Sequence, residues 1–434
     1  MIRYIKRSNL LKSTIIYSIS DIIGKAIPFI LLPIVARYLS TSDFGILTNF
    51  SVAAQIFIAV CALNTYSALS VSYHKLDKGV LGSYLSNLIY LISLISIVCF
   101  VLTNVFSGVI EHYLGISRLW QNLAIVSAFG TAVFSLYTSL LRMQENVLKF
   151  SAYQIFQSLI GGILAVVFVV VMKWNWEGRI LSIVLAAVIT LLIIIWNMVK
   201  DRFLFKRIDL RQIKDAFYFG LPLLPHTLSF WFKSGVDRII ITNLVGLSAN
   251  GVFSVALTLG GIIGVFTGAF FNAYTPSMFK DLNTIDEVSV EEAYLIKKKL
   301  VRITYIFAIL LLIVCVSSYF IMKYIIPLLF KGDYLGAIQF IPFLMATLFF
   351  EGLYSIVAGY IFYKRKTKIL GIITFMSSIL QMTMTWFFVK KFGALGAVYS
   401  AGIVSIITFI AVFIYTNTLY DLPWRLRNKF KLEG

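Results

Sequence analysis

Uninterrupted apolar runs of about 20 residues fill this chain, and their length is what most constrains its fold. Stretches such as LIYLISLISIVCFVL and IGGILAVVFVVVM are apolar on every face. About 20 residues of α-helix cross the ~30 Å hydrocarbon core of a bilayer, whereas the strands of a membrane barrel alternate apolar and polar residues. Only 13% of the residues are charged, about half the share in a soluble domain. The sequence therefore predicts an all-α, polytopic membrane protein.

Twelve membrane-spanning helices are predicted from these runs. They cover residues 13–38, 44–66, 80–106, 118–141, 150–172, 178–199, 216–243, 250–273, 295–322, 337–362, 366–390 and 394–418. Of the 38 lysines and arginines, 27 fall on the side of the N-terminus and 8 on the opposite side. Because the basic residues of short loops stay in the cytoplasm, both termini are predicted to be cytoplasmic.

The charge and the rarer side chains exclude several classes of function. The net charge of +19 follows from the loop bias and favours contact with anionic membrane lipids, so no nucleic-acid partner is predicted. The three cysteines, Cys61, Cys99 and Cys315, stand alone in apolar runs and are expected to be buried. The chain has no HExxH or CxxC pattern, so neither a metal site nor another cofactor is predicted.

The second half of the chain repeats features of the first. Gly45 in RYLSTSDFGILTNF corresponds to Gly251 in NLVGLSANGVFSV, 206 residues later. This repeat predicts two six-helix lobes related by a pseudo-twofold axis, residues 1–205 with helices 1–6 and residues 206–434 with helices 7–12. Parallel repeats are typical of transporters that bind substrate between their halves, although gene duplication also produces channels and scaffolds. The basic linker at 200–215 is expected to form an amphipathic segment on the cytoplasmic surface.

Charged side chains inside the predicted spans mark a candidate binding site, because a lone charge at the bilayer centre costs about 2.5–3.5 kcal/mol on insertion scales. Spacings of four and seven residues put all of these side chains except Arg238 on one face of predicted helix 1 or one face of predicted helix 7. Arg238 is adjacent to Asp237, and the alternative for it is a position near the periplasmic interface. We interpret the two faces as a cationic cavity for an anionic headgroup, although ion pairs within each helix would also account for them. The side chains are Asp21, Lys25, His226, Lys233, Asp237 and Arg238.

Other polar residues of the spans have a structural interpretation beside a functional one. Glu351 lies in mid-span, where a carboxylate would bind a coupling ion or proton, or else be neutral and hydrogen-bonded within its lobe. Five side-chain amides would bind sugar hydroxyls or join helices, and the second role is favoured. They belong to Gln55, Asn64, Gln154, Gln157 and Gln381.

Prolines and glycines predict bends and close contacts. Pro222 and Pro225, like Pro28 and Pro33 in helix 1, are expected to kink their helix. The glycines at 260, 264 and 268 share one helical face, which predicts close packing against a neighbouring helix.

The stretch GLPLLPHTLSFWFKSGVDRIIITNLVGLSANGVFSVALTLGG resembles the seventh and eighth helices of Wzx-type oligosaccharide flippases, in the multidrug/oligosaccharidyl-lipid/polysaccharide exporter superfamily. ARYLSTSDFGILTNF is similar to their helix 1–2 junction, and TPSMFK to the end of their helix 8. The resemblance implies a cavity lined by helices 1, 2, 7 and 8 that binds an undecaprenyl-diphosphate-linked oligosaccharide, an O-antigen or capsule repeat unit. It implies alternating access from the cytoplasmic to the periplasmic leaflet, no enzymatic step, and a polysaccharide polymerase and assembly proteins as further partners.

Three other functions fit parts of this pattern. A cation or drug antiporter of the same superfamily would favour acids in its cavity, whereas the predicted charges are mainly basic. A flippase for another undecaprenyl-linked glycan would share the architecture. A membrane polysaccharide polymerase would need a large external loop and a set of reactive groups, which the sequence lacks.

Overall fold

The computed structural model describes residues 16, 20, 22–24, 26–73, 76–201, 203, 208–285, 287–364 and 366–424. All regular secondary structure in these ranges is helical. Contacts divide the chain into two compact units, Met1–Ser254 and Val255–Gly434. The division into six-helix lobes at 1–205 and 206–434 stays a prediction.

The first unit is a bundle of packed helices. Helix α1 covers Ile22–Ala36, and α7 continues as a π-helix over Val166–Val171. The remaining helices are α2 (Thr41–Ala62), α3 (Thr65–Ser72), α4 (Lys78–Val105), α5 (Ser107–Leu114), α6 (Arg118–Met143), α7 (Val147–Ala165), α8 (Asn175–Lys200), α9 (Leu210–Gly220), α10 (Leu224–Leu244) and the start of α11 (Leu247–Ile285). Within the unit, α2 packs on α6, and α6 packs on α8.

The second unit holds the rest of α11 and four further helices. These are α12 (Val290–Leu329), α13 (Ile341–Tyr363), α14 (Thr367–Phe392) and α15 (Leu395–Leu419), with a 3-10 helix at Gly332–Phe340. Helix α15 packs against both α13 and α14. Buried Thr385 and Ser400 join α14 to α15 through a hydroxyl–hydroxyl hydrogen bond of 2.6 Å, the kind of polar link that membrane helices use between apolar faces.

Ten helices in the described ranges are long and apolar enough to cross a membrane, and all ten coincide with predicted spans. The other two predicted spans fall on α1, which is described only in part, and on α10. Three charged residues, Lys233, Asp237 and Arg238, lie within the 21 residues of α10. The lengths and the apolar character of these helices therefore confirm an all-α, multi-pass membrane protein.

Several predicted helix boundaries are wrong at the N-terminus of α10 and at the α11–α12 hairpin. Pro222 and Pro225 lie in a 3-10 turn and in the first turn of α10, where a missing N–H costs nothing, so they separate α9 from α10 rather than kink one helix. Helix α11 continues to Ile285 rather than 273, and α12 begins at Val290. A capping box between Ser289 and Glu292 starts α12 five residues before its predicted start.

Close helix contacts in the first unit depend on small residues. At Gly130 of α6, an added Cβ would lie 3.1 Å from the carbonyl oxygen of Ala187 on α8. Without a solvent-driven force between apolar helices in lipid, such backbone approaches supply the packing energy. The large buried side chains Leu88, Ile92 and Tyr137 fill the space between α4 and α6. This bundle holds α2, α3 and α6 in fixed positions around the candidate site.

Candidate substrate cavity

A bend between α2 and α3 opens the first unit at one end. Leu63 and Asn64 adopt left-handed backbone angles, with φ of 39° and 53°, and this interrupts the predicted span 44–66. Asparagine tolerates this conformation better than most residues do. The bend sends α3 away from the line of α2 and leaves Asn64 at the turn.

A cavity of about 770 Å³ lies beside this bend, within the range of about 300–1,000 Å³ typical of small-ligand sites. Helices α2, α3, α6, α7 and α10 of the first unit supply its walls. The lining residues are Gln55, Ile58, Ala59, Ala62, Asn64, Tyr66, Ser67, Ser70, Val71, Phe134, Ser135, Thr138, Ser139, Arg142, Met143, Gln154, Thr227 and Trp231. In the predicted topology most of them lie in the cytoplasmic half of their helix, and Gln55 and Trp231 lie close to its middle.

Asn64 is the polar centre of the wall. Its Oδ1 accepts hydrogen bonds from the hydroxyls of Thr227 (3.1 Å) and Tyr66 (3.3 Å). Its Nδ2 has no hydrogen-bond partner among the described residues, although the side chain is only 6% exposed. A buried amide N–H without a partner costs free energy comparable to a lost hydrogen bond, so this donor favours a ligand with an acceptor oxygen. Asn64 is one of the five amides predicted from the sequence, for which a helix-joining role was favoured.

Arg142 supplies the cavity with a positive charge. It lies in the last turn of α6, where a cation complements the negative end of the helix dipole. Its guanidinium carbon is 4.8 Å from the ring centroid of Phe150, in a cation–π arrangement. None of the described residues that line the cavity is acidic. From the sequence, Arg142 was expected to be a loop cation, because it directly follows the predicted span 118–141.

Aromatic faces and hydroxyls complete the wall. Trp231 of α10 donates from its indole nitrogen to the carbonyl oxygen of Val52 on α2 (3.1 Å), which fixes the ring in place. Ser70 and Ser139 share a hydrogen bond of 2.9 Å between α3 and α6. Aromatic rings with hydroxyl and amide neighbours provide both the apolar faces and the polar groups that a sugar presents to a protein.

The charged residues predicted from the sequence are only partly described. Asp21 and Lys25 lie outside the described residues, as do the side chains of His226 and Lys233. Asp237 is buried on α10. Arg238 is half-buried, and its Nε has no hydrogen-bond partner among the described residues.

Neither Asp237 nor Arg238 lines the 770 Å³ cavity. In the second unit, Glu351 is half-buried in the middle of α13, and its backbone carbonyl accepts a hydrogen bond from Ser355 (2.8 Å). The roles of these residues in substrate or ion binding therefore stay predictions.

The opposite end of the first unit is closed where the starts of α2 and α11 cross. A Cβ on Gly45 would overlap the carbonyl oxygen of Leu247, and a Cβ on Gly251 would overlap that of Thr41. Since Thr41 and Leu247 are also 206 residues apart, the two glycines make reciprocal contacts. The hydroxyls of Thr41 and Ser248 are 2.7 Å apart.

We call this crossing the α2–α11 junction and define it by Thr41, Gly45, Asn49, Ser248, Asn250 and Gly251. Buried polar groups strengthen the junction. The amide of Asn250 donates to Oδ1 of Asn49 (2.9 Å), and that of Asn49 donates to the carbonyl oxygen of Leu114 (2.8 Å). Thr242 bonds to both asparagines. Each polar atom has a partner, so the network is stable as it stands.

A family model described as polysaccharide biosynthesis protein matches residues 10–281, well over half of the chain. The chain belongs to this family. The match confirms the predicted membership and covers all the helices that line the cavity and the α2–α11 junction.

Two curated relatives of this family member come from Haemophilus influenzae. One, named Lsg locus putative protein 1, is 22% identical over 417 residues, which cover 92% of this chain and 97% of that protein. The other, named only as an uncharacterized membrane protein, is 24% identical over 386 residues, covering 86% and 89% of the two chains.

Solved structures with the same fold include a multidrug transporter and a lipid flippase. An inward-facing multidrug resistance transporter of the MATE family and MOP superfamily has a TM-score of 0.73 and 16% identity, over 94% of this chain and 96% of its own. The lipid II flippase MurJ, in an inward closed conformation, has a TM-score of 0.71 and 16% identity, over 94% and 87%. The fold is therefore one that a multidrug transporter and a lipid II flippase, neither of them an enzyme, also have.

Proposed function

We propose that this protein is a flippase for an undecaprenyl-diphosphate-linked oligosaccharide. It moves an O-antigen or capsule repeat unit from the cytoplasmic to the periplasmic leaflet of the bacterial inner membrane. The observation that carries the proposal is the 770 Å³ cavity, which combines one arginine with many hydroxyl and amide groups and has no acid among its described lining residues. The membership in a polysaccharide biosynthesis family supports the same class of substrate.

The chemistry of the cavity suits each part of such a headgroup. Arg142 at its rim offers a planar set of N–H donors, which bind phosphate oxygens in pairs. Asn64, Gln55 and Gln154 offer amides for sugar hydroxyls, and Trp231 offers an apolar face. The lipid tail needs no site, since it stays in the surrounding bilayer.

The predicted charged faces would extend this binding surface. We propose that Lys25, Lys233 and Arg238 add positive charge for the diphosphate, that His226, Asp21 and Asp237 position them, and that Glu351 is a coupling-ion site in the second unit. The lobes 1–205 and 206–434, with both termini in the cytoplasm, would alternate in access. A polysaccharide polymerase and other assembly proteins are its proposed partners.

The cavity and the α2–α11 junction support transport by alternating access. In the predicted topology the cavity faces the cytoplasm, whereas the junction closes the periplasmic end of the same unit. A headgroup entering from the cytoplasm therefore meets polar walls and a closed exit. Opening of the junction, with narrowing at the α2–α3 bend, would release it on the other side.

A second candidate is transport of a different glycan lipid, since the chain shares its fold with the lipid II flippase MurJ. The fold is also that of multidrug MATE transporters. Such a transporter of cationic drugs would gain affinity from carboxylates, and the described cavity lining has none. The charge of the cavity therefore favours an anionic headgroup over a cationic drug.

The test is the sidedness of a lipid-linked repeat unit in proteoliposomes, with a membrane-impermeant glycan-modifying reagent as reporter. We expect the wild type to move headgroups across the bilayer, and Lys25→Ala and Lys233→Ala to slow this movement. A lipid-linked peptidoglycan precursor in parallel vesicles distinguishes the two glycan classes. Movement of a cationic dye without movement of any glycan lipid would contradict the proposal and favour the antiporter.

A further inference from the structure

A second, smaller cavity in the first unit surrounds Arg179 of α8. Its volume is about 190 Å³, enough for a few water molecules or one small ion with its remaining hydration. Helices α1, α6, α7 and α8 form the walls. The lining residues are Ile27, Pro28, Leu31, Thr131, Gln157, Ser158, Gly161, Gly162, Arg179, Ile183, Ala186 and Ala187.

The side chain of Arg179 points into the lobe rather than toward the nearest end of its helix. Arg179 lies in the second turn of α8, close to the turn at Lys173 and Trp174. A membrane-embedded arginine near a helix end normally extends to that interface. Here Nη1 instead donates to the hydroxyl of Ser182, one turn deeper, at 3.0 Å. The positive charge is therefore carried into the cavity.

No acidic residue neutralises this charge in the part of the chain that the structure describes. No described carboxylate lies within ion-pair distance of Arg179, and Ser182 is the only described hydrogen-bond partner of its guanidinium. A guanidinium has five N–H donors, and only one of them has a hydrogen-bond partner among the described residues. The site also lies near the N-terminal end of α8, where the helix dipole adds positive potential.

Small residues keep the space in front of the guanidinium open. Gly161 of α7 faces Ala186 of α8, and a Cβ built on Gly161 would lie 3.5 Å from the Ala186 Cβ. Gln157 of α7 and Thr131 of α6 add polar groups to the lining. The cavity thus combines one cation that has no acidic partner among the described residues, a few neutral hydrogen-bonding groups and an apolar surround, which is the composition of a site for a small anion.

We propose that the Arg179 cavity binds a small inorganic monoanion of the chloride class. One guanidinium balances one negative charge, so a monoanion leaves the site neutral, whereas a polyanion such as phosphate would leave excess charge in an apolar surround. The site is separate from the 770 Å³ cavity, with which it shares no described lining residue. Its existence does not depend on the proposed flippase function.

Chlorine-35 NMR line broadening of the purified full-length protein tests the proposal, because it detects weak, rapidly exchanging chloride. Ionic strength is held constant with gluconate, which is too large for 190 Å³. We expect a saturable excess line width for the wild type that bromide displaces. In Arg179→Gln the apparent affinity falls at least tenfold. The matched control is Arg118→Gln, which removes an arginine bonded to Asn104 at the predicted same end of the bundle and leaves the binding unchanged.

A second variant keeps the test decisive if Arg179→Gln fails to fold. Ala186→Leu retains the arginine and fills the cavity, so it also abolishes the saturable broadening in a protein that remains monodisperse on gel filtration. Wild-type protein without saturable broadening would show that the cavity holds only water and would overturn the proposal. Broadening that persists in both variants would overturn it as well, since the ion would then bind elsewhere.

Discussion

At the scale of single residues, Arg142 is the side chain on which the proposed binding of a diphosphate most depends. A hydrogen bond between a guanidinium and a charged oxygen contributes about 1.5–3 kcal/mol, which corresponds to roughly tenfold to a hundredfold in affinity. We therefore expect Arg142→Gln to raise the lipid-linked substrate concentration for half-maximal flipping by about that factor. For Arg142→Lys, this concentration should lie between those of the wild type and Arg142→Gln, because lysine keeps the charge and loses the paired donors.

Lys149 offers a matched control for that measurement. It is a basic residue one turn into α7 at the same end of the bundle, exposed, and 4.0 Å from Asp201. An exposed pair of this kind contributes little to stability, and Lys149 does not line the cavity. Lys149→Gln should flip substrate like the wild type. Equal loss in both variants would mean that only the net positive charge of this surface matters.

Asn64 has two separable roles, which two substitutions distinguish. Its left-handed backbone suits glycine and disfavours alanine by about 1–2 kcal/mol. Asn64→Gly and Asn64→Ala both remove the unpaired amide and should weaken substrate binding equally. Both variants lose the hydrogen bonds to Oδ1, so Asn64→Ala should lower the melting temperature further than Asn64→Gly does, measured by intrinsic fluorescence in detergent. Equal melting temperatures for the two variants would contradict the assigned role of the backbone.

At the scale of helices, the ten described spans were predictable because apolar length is fixed by the bilayer and not by tertiary contacts. Local chemistry decided where prediction failed. Pro222 and Pro225 were read as kinks, although proline fits the first turn of a helix as well as a bend. Of the glycines at 260, 264 and 268, only Gly260 has a close neighbour in the described structure, Leu344. Glycines on one helical face allow a neighbouring helix to pack closely, but close packing occurs only where such a helix lies opposite them.

One added methyl group at the α2–α11 junction should make the junction open more easily. Gly45→Ala would force apart the backbones of α2 and α11, because its Cβ overlaps the Leu247 carbonyl. Overpacking of this kind costs about 1–3 kcal/mol. We expect easier opening of the junction, seen as faster labelling of a Ser254→Cys reporter by a thiol reagent added outside. Ser254 is buried below the junction, and its hydroxyl donates to Oδ1 of Asn250 (3.3 Å).

Gly108→Ala is the matched control for that change. Gly108 belongs to α5 at the same predicted end of the bundle, and a Cβ there would meet nothing within 4 Å. Labelling of the reporter should be unchanged in this variant. Gly251→Ala should reproduce the effect of Gly45→Ala, because the two glycines make reciprocal contacts. An effect at one glycine alone would argue against the reciprocal packing.

At the scale of the whole molecule, the sequence predicted the class of site better than its residues. Charges in apolar helices were visible in the sequence, and they drew attention to Lys233 and Arg238. The described cavity is formed instead by neutral groups such as Asn64 and Ser139, with Arg142 at its rim. Hydroxyls and amides occur throughout membrane helices as links between helices. Only the bend at Leu63 and Asn64 separates those that line a cavity from those that join helices.

The predicted orientation of the whole chain can be measured with two single cysteines. Glu145, in the turn between α6 and α7, should be cytoplasmic, and Gly115, between α5 and α6, should be periplasmic. Glu145→Cys should therefore react with an impermeant maleimide only after lysis, whereas Gly115→Cys should react in intact spheroplasts. The native Cys61, Cys99 and Cys315 are buried and give a low background. The reverse pattern would invert the proposed direction of transport.

Alternating access also predicts that the α2–α11 junction must open in each transport cycle. The hydroxyls of Thr41 and Ser248 are 2.7 Å apart, so Thr41→Cys together with Ser248→Cys places two sulfurs within reach of a disulfide. We expect oxidation to stop flipping in proteoliposomes and a reductant to restore it. Thr41→Cys alone, treated with the same oxidant, should remain active. Full activity of the cross-linked protein would show that the headgroup leaves by another route, since a closed junction and a complete cycle are incompatible in the proposed mechanism.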